Sequence, residues 1–188
     1  MKKILDLGDI SISKADSYYI DDCGNIYDAH DNKMEVFSDS RGYLSVKLKI
    51  YELINNEGDE VKHSRVKLKQ FKIHRLMAIN FIPKTKLDNE YNRYKVFIKN
   101  RNKKDLRPSN LMWCNQYEIN AIMYYSSNNN DLKKCIHYMV DKGFELGEME
   151  HVIFDSGIIK QKFFRRRKLL KLIKECDNSI LAKKLNNE

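Results

Sequence analysis

Ile73-His74-Arg75-Leu76-Met77-Ala78-Ile79-Asn80-Phe81-Ile82-Pro83 is the stretch at which the chain changes its period. It reads as a short helix ended by Pro83, because proline lacks an amide hydrogen and biases the residue before it away from helical angles. Upstream the period is two. Leu44, Val46, Leu48 and Ile50 alternate with Tyr43, Ser45, Lys47 and Lys49, which predicts a half-buried strand. A turn at Asn55-Asn56-Glu57-Gly58-Asp59 leads to a second strand at Arg65-Val66-Lys67-Leu68-Lys69. Further back, Tyr18-Tyr19-Ile20-Asp21-Asp22 and Asn25-Ile26-Tyr27-Asp28 flank the short turn Cys23-Gly24. These pieces predict a small antiparallel sheet with one basic face, either a solvated surface or a DNA contact.

Downstream, residues 84–93 are polar and read as a loop, residues 95–98 as a short strand, and residues 99–110 as a basic loop containing Pro108. Leu111-Met112-Trp113 is a short apolar segment. Asn115 can cap a helix over residues 116–125. Ser126-Ser127-Asn128-Asn129-Asn130 reads as a linker between residues 1–125 and a helical region, residues 131–188. In that region Asp131 caps a helix over 132–142 that Gly143 ends; further helices are expected over 147–155 and 158–175. The fold class expected is α+β.

Composition narrows the function classes. The 188 residues carry 35 Lys and Arg against 26 Asp and Glu, a formal charge of +9, with 42% hydrophobic residues. That is enough apolar material for a core, and the positive excess favours a polyanionic partner, whose counterions are released on binding. The four cysteines, Cys23, Cys114, Cys135 and Cys176, form no C-x-x-C pair, so reduced core thiols are expected rather than a zinc knuckle. The first residues are too short and too acidic for a signal peptide, and no apolar run reaches the length of a membrane span. The expectation is an intracellular, unsecreted protein with no membrane partner and no evident small-molecule substrate.

Four pieces stand in a telling order: residues 19–27; Gly42-Tyr43-Leu44-Ser45-Val46-Lys47-Leu48; the helix of residues 73–83; and residues 96–113, ending Asn110-Leu111-Met112-Trp113, followed by Glu118. Together, over roughly residues 17–120, they resemble the HNH homing endonucleases of phages, introns and mobile elements, in which an H-R-L helix ending in F-x-P precedes a V-N-H-I-D-G-N-K segment and N-L-E-W. The resemblance implies a small antiparallel sheet and a ββα unit that holds one divalent metal, Mg²⁺, at the scissile phosphate, with a histidine as general base. The implied metal-ligand position falls on Phe97 and the implied base position on Ile98, neither of which has a donor atom. Asn110 matches the second metal ligand, Trp113 the tryptophan, and His74 the histidine of the H-R-L helix, where packing is its expected role. The resemblance therefore implies a degenerate catalytic centre with no catalytic residue and no cofactor, unless an active nuclease places its base elsewhere, at His74 or His63.

Two basic stretches carry the expected partner, double-stranded DNA. The loop offers Lys99, Arg101, Lys103, Lys104 and Arg107. The C-terminal run from Lys160 to Lys174 holds eight basic residues and no acid, among them Arg165, Arg166, Arg167, Lys168 and Lys171. On a helix, Phe163, Leu170 and Ile173 would face inward and the arginines outward, in a region loosely similar to a helix-turn-helix. The competing readings are a solvated amphipathic helix, a membrane-surface helix, an Mg²⁺-dependent nuclease, and a phage structural or interaction protein.

Overall fold

The computed structural model describes residues 3–4, 12–13, 18–54, 63–157 and 166–185. In chain order it contains β1 (Lys3–Ile4), β2 (Ile12–Ser13), β3 (Tyr19–Ile20), β4 (Ile26–Tyr27), β5 (Val36–Ser38), β6 (Leu44–Ile54), β7 (His63–Lys72) and α1 (Ile73–Phe81). There follow α2 (Lys86–Glu90), β8 (Lys95–Ile98), a 3₁₀ turn (Pro108–Asn110), β9 (Leu111–Cys114), α3 (Gln116–Ser127), α4 (Leu132–Asp141), α5 (Leu146–Glu150), a π-helical turn (His151–Asp155) and α6 (Arg166–Leu185). The fold is α+β, with small antiparallel sheets ahead of a run of helices. It falls into two compact units, residues 1–85 with 100–113, and residues 86–99 with 114–188.

In the first unit β6 is the organising strand. It pairs with β7 from Ser45–Lys72 to Ile54–His63, and with β5 and β2 at its two ends; β1, β3 and β4 form a separate antiparallel sheet. Val46, Leu48 and Ile50 are buried while Lys47 and Lys49 are exposed, as the period of two requires. Residues 66–70 of β7 are all exposed. Helix α1 packs on β6 and β7 and buries Ile73, His74, Leu76, Met77 and Ala78. It stops at Ile82, whose extended backbone (φ −121°) meets the demand of Pro83.

The second unit is helical, with its core formed by Ile122 of α3, Ile136 and Met139 of α4, Val152 and Ile153 of the π-helical turn, and Leu169 and Cys176 of α6. It begins with a buried ion triad. The Arg93 guanidinium donates through Nε (2.8 Å) and Nη2 (2.7 Å) to Glu118 Oε1, and through Nη1 to Asp88 Oδ1 (3.3 Å). Asn115 and Glu118 close a capping box at the start of α3, the helix start expected from sequence.

Several expectations are corrected. Residues 84–93 are not a plain loop: they hold α2, whose Asp88 is buried against Arg93. Residues 126–130 are not a linker between domains. Helix α3 continues through Ser127, Asn129 and Asn130 take left-handed angles (φ 56° and 57°), and Asp131 caps α4 through the N–H groups of Lys133 and Lys134. Asparagine tolerates the left-handed region, so the triplet forms a tight turn between α3 and α4, which pack together in one unit. The boundary between units therefore runs elsewhere than at 125/131. The last helix is Arg166–Leu185; its expected start at 158, with Phe163 and Arg165, lies outside the described residues. Leu169 and Cys176 are buried in it; Ile173 packs against the core as expected, while Leu170, expected to face inward, is 40% exposed. No helix among the described residues is long and apolar enough to cross a membrane.

Candidate nucleic-acid interface

The basic loop of the first unit is shaped by amides and one carboxylate. Asn110 Oδ1 accepts the backbone N–H of Asn100 (3.0 Å), while its Nδ2 donates to Asn100 Oδ1 (2.9 Å) and to the Asp105 carbonyl (2.8 Å). Asn100 Nδ2 donates to Asp105 Oδ2 (2.8 Å), and Asn102 Oδ1 accepts the N–H of Lys104 (3.1 Å). Leu106 is buried under the β3–β4 turn, where a Cβ on Gly24 (φ +85°) would meet Leu106 Cδ1 at 2.8 Å. Only glycine fits that turn and that approach together.

The cations on this frame differ in how far the protein itself uses them. Arg107 forks onto Asp105, through Nε to Oδ1 (2.8 Å) and Nη2 to Oδ2 (2.7 Å). That guanidinium, helped by Asn100, holds the Asp105 carboxyl down at about 2. Lys103 Nζ donates to the Arg41 carbonyl (2.5 Å) and lies 4.7 Å from the centre of the Tyr43 ring; Lys72 Nζ lies 4.6 Å from the same ring. Arg101 and Lys104 are exposed, Arg101 with a left-handed backbone (φ 62°). The sheet beside Tyr43 adds Lys47, Lys49, Lys67 and Lys69. Tyr18, Asp28, His30, Lys47, Lys49 and Leu68 line an open hollow of about 320 Å³.

His74 sits behind Tyr43, with ring centroids 4.9 Å apart. It is buried, its Nδ1 has no hydrogen-bond partner among the described residues, and burial, reinforced by Lys72, pushes its pKa down to about 4. The imidazole is therefore neutral at pH 7. Trp113 Nε1 donates to the Ile82 carbonyl (2.9 Å) at the end of α1, with Lys84 Nζ 4.8 Å from its ring.

In the second unit, Lys99 is half-buried. Arg166, Arg167, Lys168 and Lys171 are exposed on α6, and Arg166 is ion-paired to Glu150. The inward face of α6 is Leu169, Leu172, Ile173 and Cys176, the i, i+3, i+4, i+7 pattern of a packed helix.

The positions implied to be catalytic are apolar and packed: Phe97 lies against the helical core of its unit and Ile98 is 6% exposed. Two groups of potential ligating residues come together among the described residues. Asp21, Asp22 and Cys23 do so in the β3–β4 turn, where Asp21 is occupied by the N–H groups of Cys23 and Asn25, the Asn25 amide and the Tyr27 hydroxyl. Cys114, Glu118 and His151 do so in the second unit. Sequence reading missed the second group, because His151 stands far from the other two with no motif spacing.

No family model matches the chain, and no curated protein matches it. Among solved structures it is similar to a chain described under "DNA binding and cleavage by the HNH homing endonuclease I-HmuI", with 21% identity over 76% of this chain and 68% of that one, and a TM-score of 0.44.

Proposed function

We propose that the protein binds double-stranded DNA on a scaffold related to the HNH homing endonucleases and does not cut it. The observation that carries this reading is the loop of residues 100–110. It carries the exposed Lys104 on a frame already closed by Asn100, Asp105 and Asn110. A preformed basic loop loses less conformational entropy when it meets phosphates, and phosphate contacts set register on a duplex. The lysines of β6 and β7 in the same unit supply further contacts, the second unit carries its own basic face on α6, and the +9 charge supplies the long-range attraction.

The absence of cutting is read from side chains. Phosphodiester hydrolysis on this scaffold needs a hard metal ion held by oxygen donors and a base to activate water. Phe97 and Ile98 offer neither, and Asn110 Oδ1, which already accepts the Asn100 N–H, would be left as the one oxygen donor of the implied set. The rival reading, an Mg²⁺-dependent nuclease, has one observation in its favour: the neutral His74, whose Nδ1 has no hydrogen-bond partner among the described residues.

One titration separates these readings. Affinity for a random-sequence duplex should fall steeply with salt. Replacing Arg167, Lys168 and Lys171 together by Ala should flatten the log–log slope by up to ~2.7, about 0.9 per lost phosphate contact. Incubation with Mg²⁺ should leave the duplex whole. No retention at low salt would favour the interaction-protein reading. Robust cleavage abolished by Asn110→Ala or His74→Ala would establish the nuclease.

A further inference from the structure

The second unit contains a cluster that the DNA reading does not use. Cys114 at the end of β9, Glu118 in the first turn of α3 and His151 at the start of the π-helical turn each offer a ligand atom, and these atoms lie within 4.8 Å of one another. Cys114 and Glu118 are fully buried. The sulfur is a thiol at rest, since burial and the Glu118 charge both push its pKa up. Glu118 Oε1 is taken twice by Arg93, but among the described residues Oε2 accepts only the Asn115 N–H (3.0 Å), which leaves that oxygen a second lone pair. His151 Nδ1 meets Asp155 Oδ2 at 2.9 Å. A carboxylate that accepts from one ring nitrogen fixes the tautomer and aims the other nitrogen, which is the usual outer-shell support of a metal-bound histidine.

The local charge points the same way. Among the charges that bear on the Cys114 thiol, the Glu118 carboxylate acts most strongly, ahead of the Arg93 guanidinium. Lys99 also bears on Cys114, but it is half-buried and its charge is partly screened by solvent. The backbone contributes too: the N–H of Ser156 reaches the His151 carbonyl (3.2 Å), an i to i+5 bond. Such π-turns insert a residue into a helix and recur at functional sites.

We propose that Cys114, Glu118 and His151 bind one transition-metal ion of the Zn²⁺ class, tetrahedrally, with water in the fourth position. The donor set of sulfur, imidazole and carboxylate suits that class and not Mg²⁺. Metal–ligand bonds of ~2.0–2.3 Å in tetrahedral geometry require donors about 3.3–3.7 Å apart, so the three side chains close by an ångström or so from their spacing here. Binding displaces the Cys114 proton to solvent and leaves a metal–thiolate bond. The ion joins the start of α3 to the π-helical turn and is independent of DNA.

The test uses the full chain, reduced and stripped with chelator, then titrated with Co²⁺. The expected result is one equivalent bound, with tetrahedral ligand-field bands and a thiolate-to-cobalt charge-transfer band, and a raised melting temperature with Zn²⁺. Cys114→Ser should remove the charge-transfer band, and Cys23→Ser should leave it intact. Asp155→Ala should weaken Co²⁺ binding about 10–100-fold by releasing the imidazole. His151→Gln should abolish the tetrahedral bands even if Cys114→Ser does not fold. The proposal is overturned if excess Co²⁺ gives no thiolate band, if Cys23→Ser removes the band, or if His151→Gln leaves the spectrum unchanged.

Discussion

Arg93 and Arg107 make the same chemical contact, a guanidinium on a carboxylate at 2.7 Å, in opposite surroundings. The Arg93 side chain is 4% exposed and its partner Glu118 is fully buried; the Arg107 side chain is 73% exposed. In the first case the low dielectric makes each charge depend on the other. In the second, water stands ready to replace either partner. A short distance alone therefore says little about worth: the buried triad holds a unit together, while the exposed fork shapes a surface loop.

The comparison breaks most readily at Arg93. Arg93→Met removes the guanidinium from the fully buried Glu118, and should cost about 3–5 kcal/mol of stability. Denaturant unfolding measures it, and a loss below about 1 kcal/mol would mean that water reaches the triad. A smaller effect is expected from His74, a buried imidazole on which Lys72 and Asp39 act in opposite directions. Its pKa is depressed to about 4 in the folded protein, against about 6.5 when unfolded. Between those values the unfolded chain binds the proton and the folded chain does not. Stability from this group is therefore full above pH 6.5, falls as pH drops through that window, and levels off below 4, by up to about 3 kcal/mol. His74→Phe should remove that dependence, as unfolding at pH 7 and pH 5 would reveal. The smallest effect belongs to the exposed fork. Arg107→Ala should change stability by less than about 1 kcal/mol. It should also let the Asp105 carboxyl titrate closer to the ordinary range, which NMR of that side chain can follow. A large loss of stability there would erase the contrast.

Much of the fold was readable because its causes are local. Alternation over Leu44, Val46, Leu48 and Ile50 marks a strand wherever the rest of the chain goes, and Asn115 and Asp131 satisfy helix-end amides two or three residues away. The candidate interface was readable as charge: the basic residues of the loop and of α6 could be named from the sequence. Their use could not. Whether Lys103 reaches the Arg41 carbonyl, and whether Arg166 meets Glu150, depends on segments that the sequence does not place side by side.

By itself the sequence determined the positive excess, the period change at residues 73–83, the α+β order of elements, and the apolar residues at Phe97 and Ile98. All are properties of composition or of neighbours within a turn or two. Only the tertiary structure decided that Asn128–Asn130 turns one helix onto another instead of parting two domains, because that depends on the apolar faces that α3 and α4 share. It alone decided the phase of α6, which follows the residues it packs against and puts Leu169 inside and Leu170 out. The meeting of Cys114, Glu118 and His151, and the balance of Arg93 between two carboxylates, likewise arise from contacts between distant segments, where local propensity carries no information.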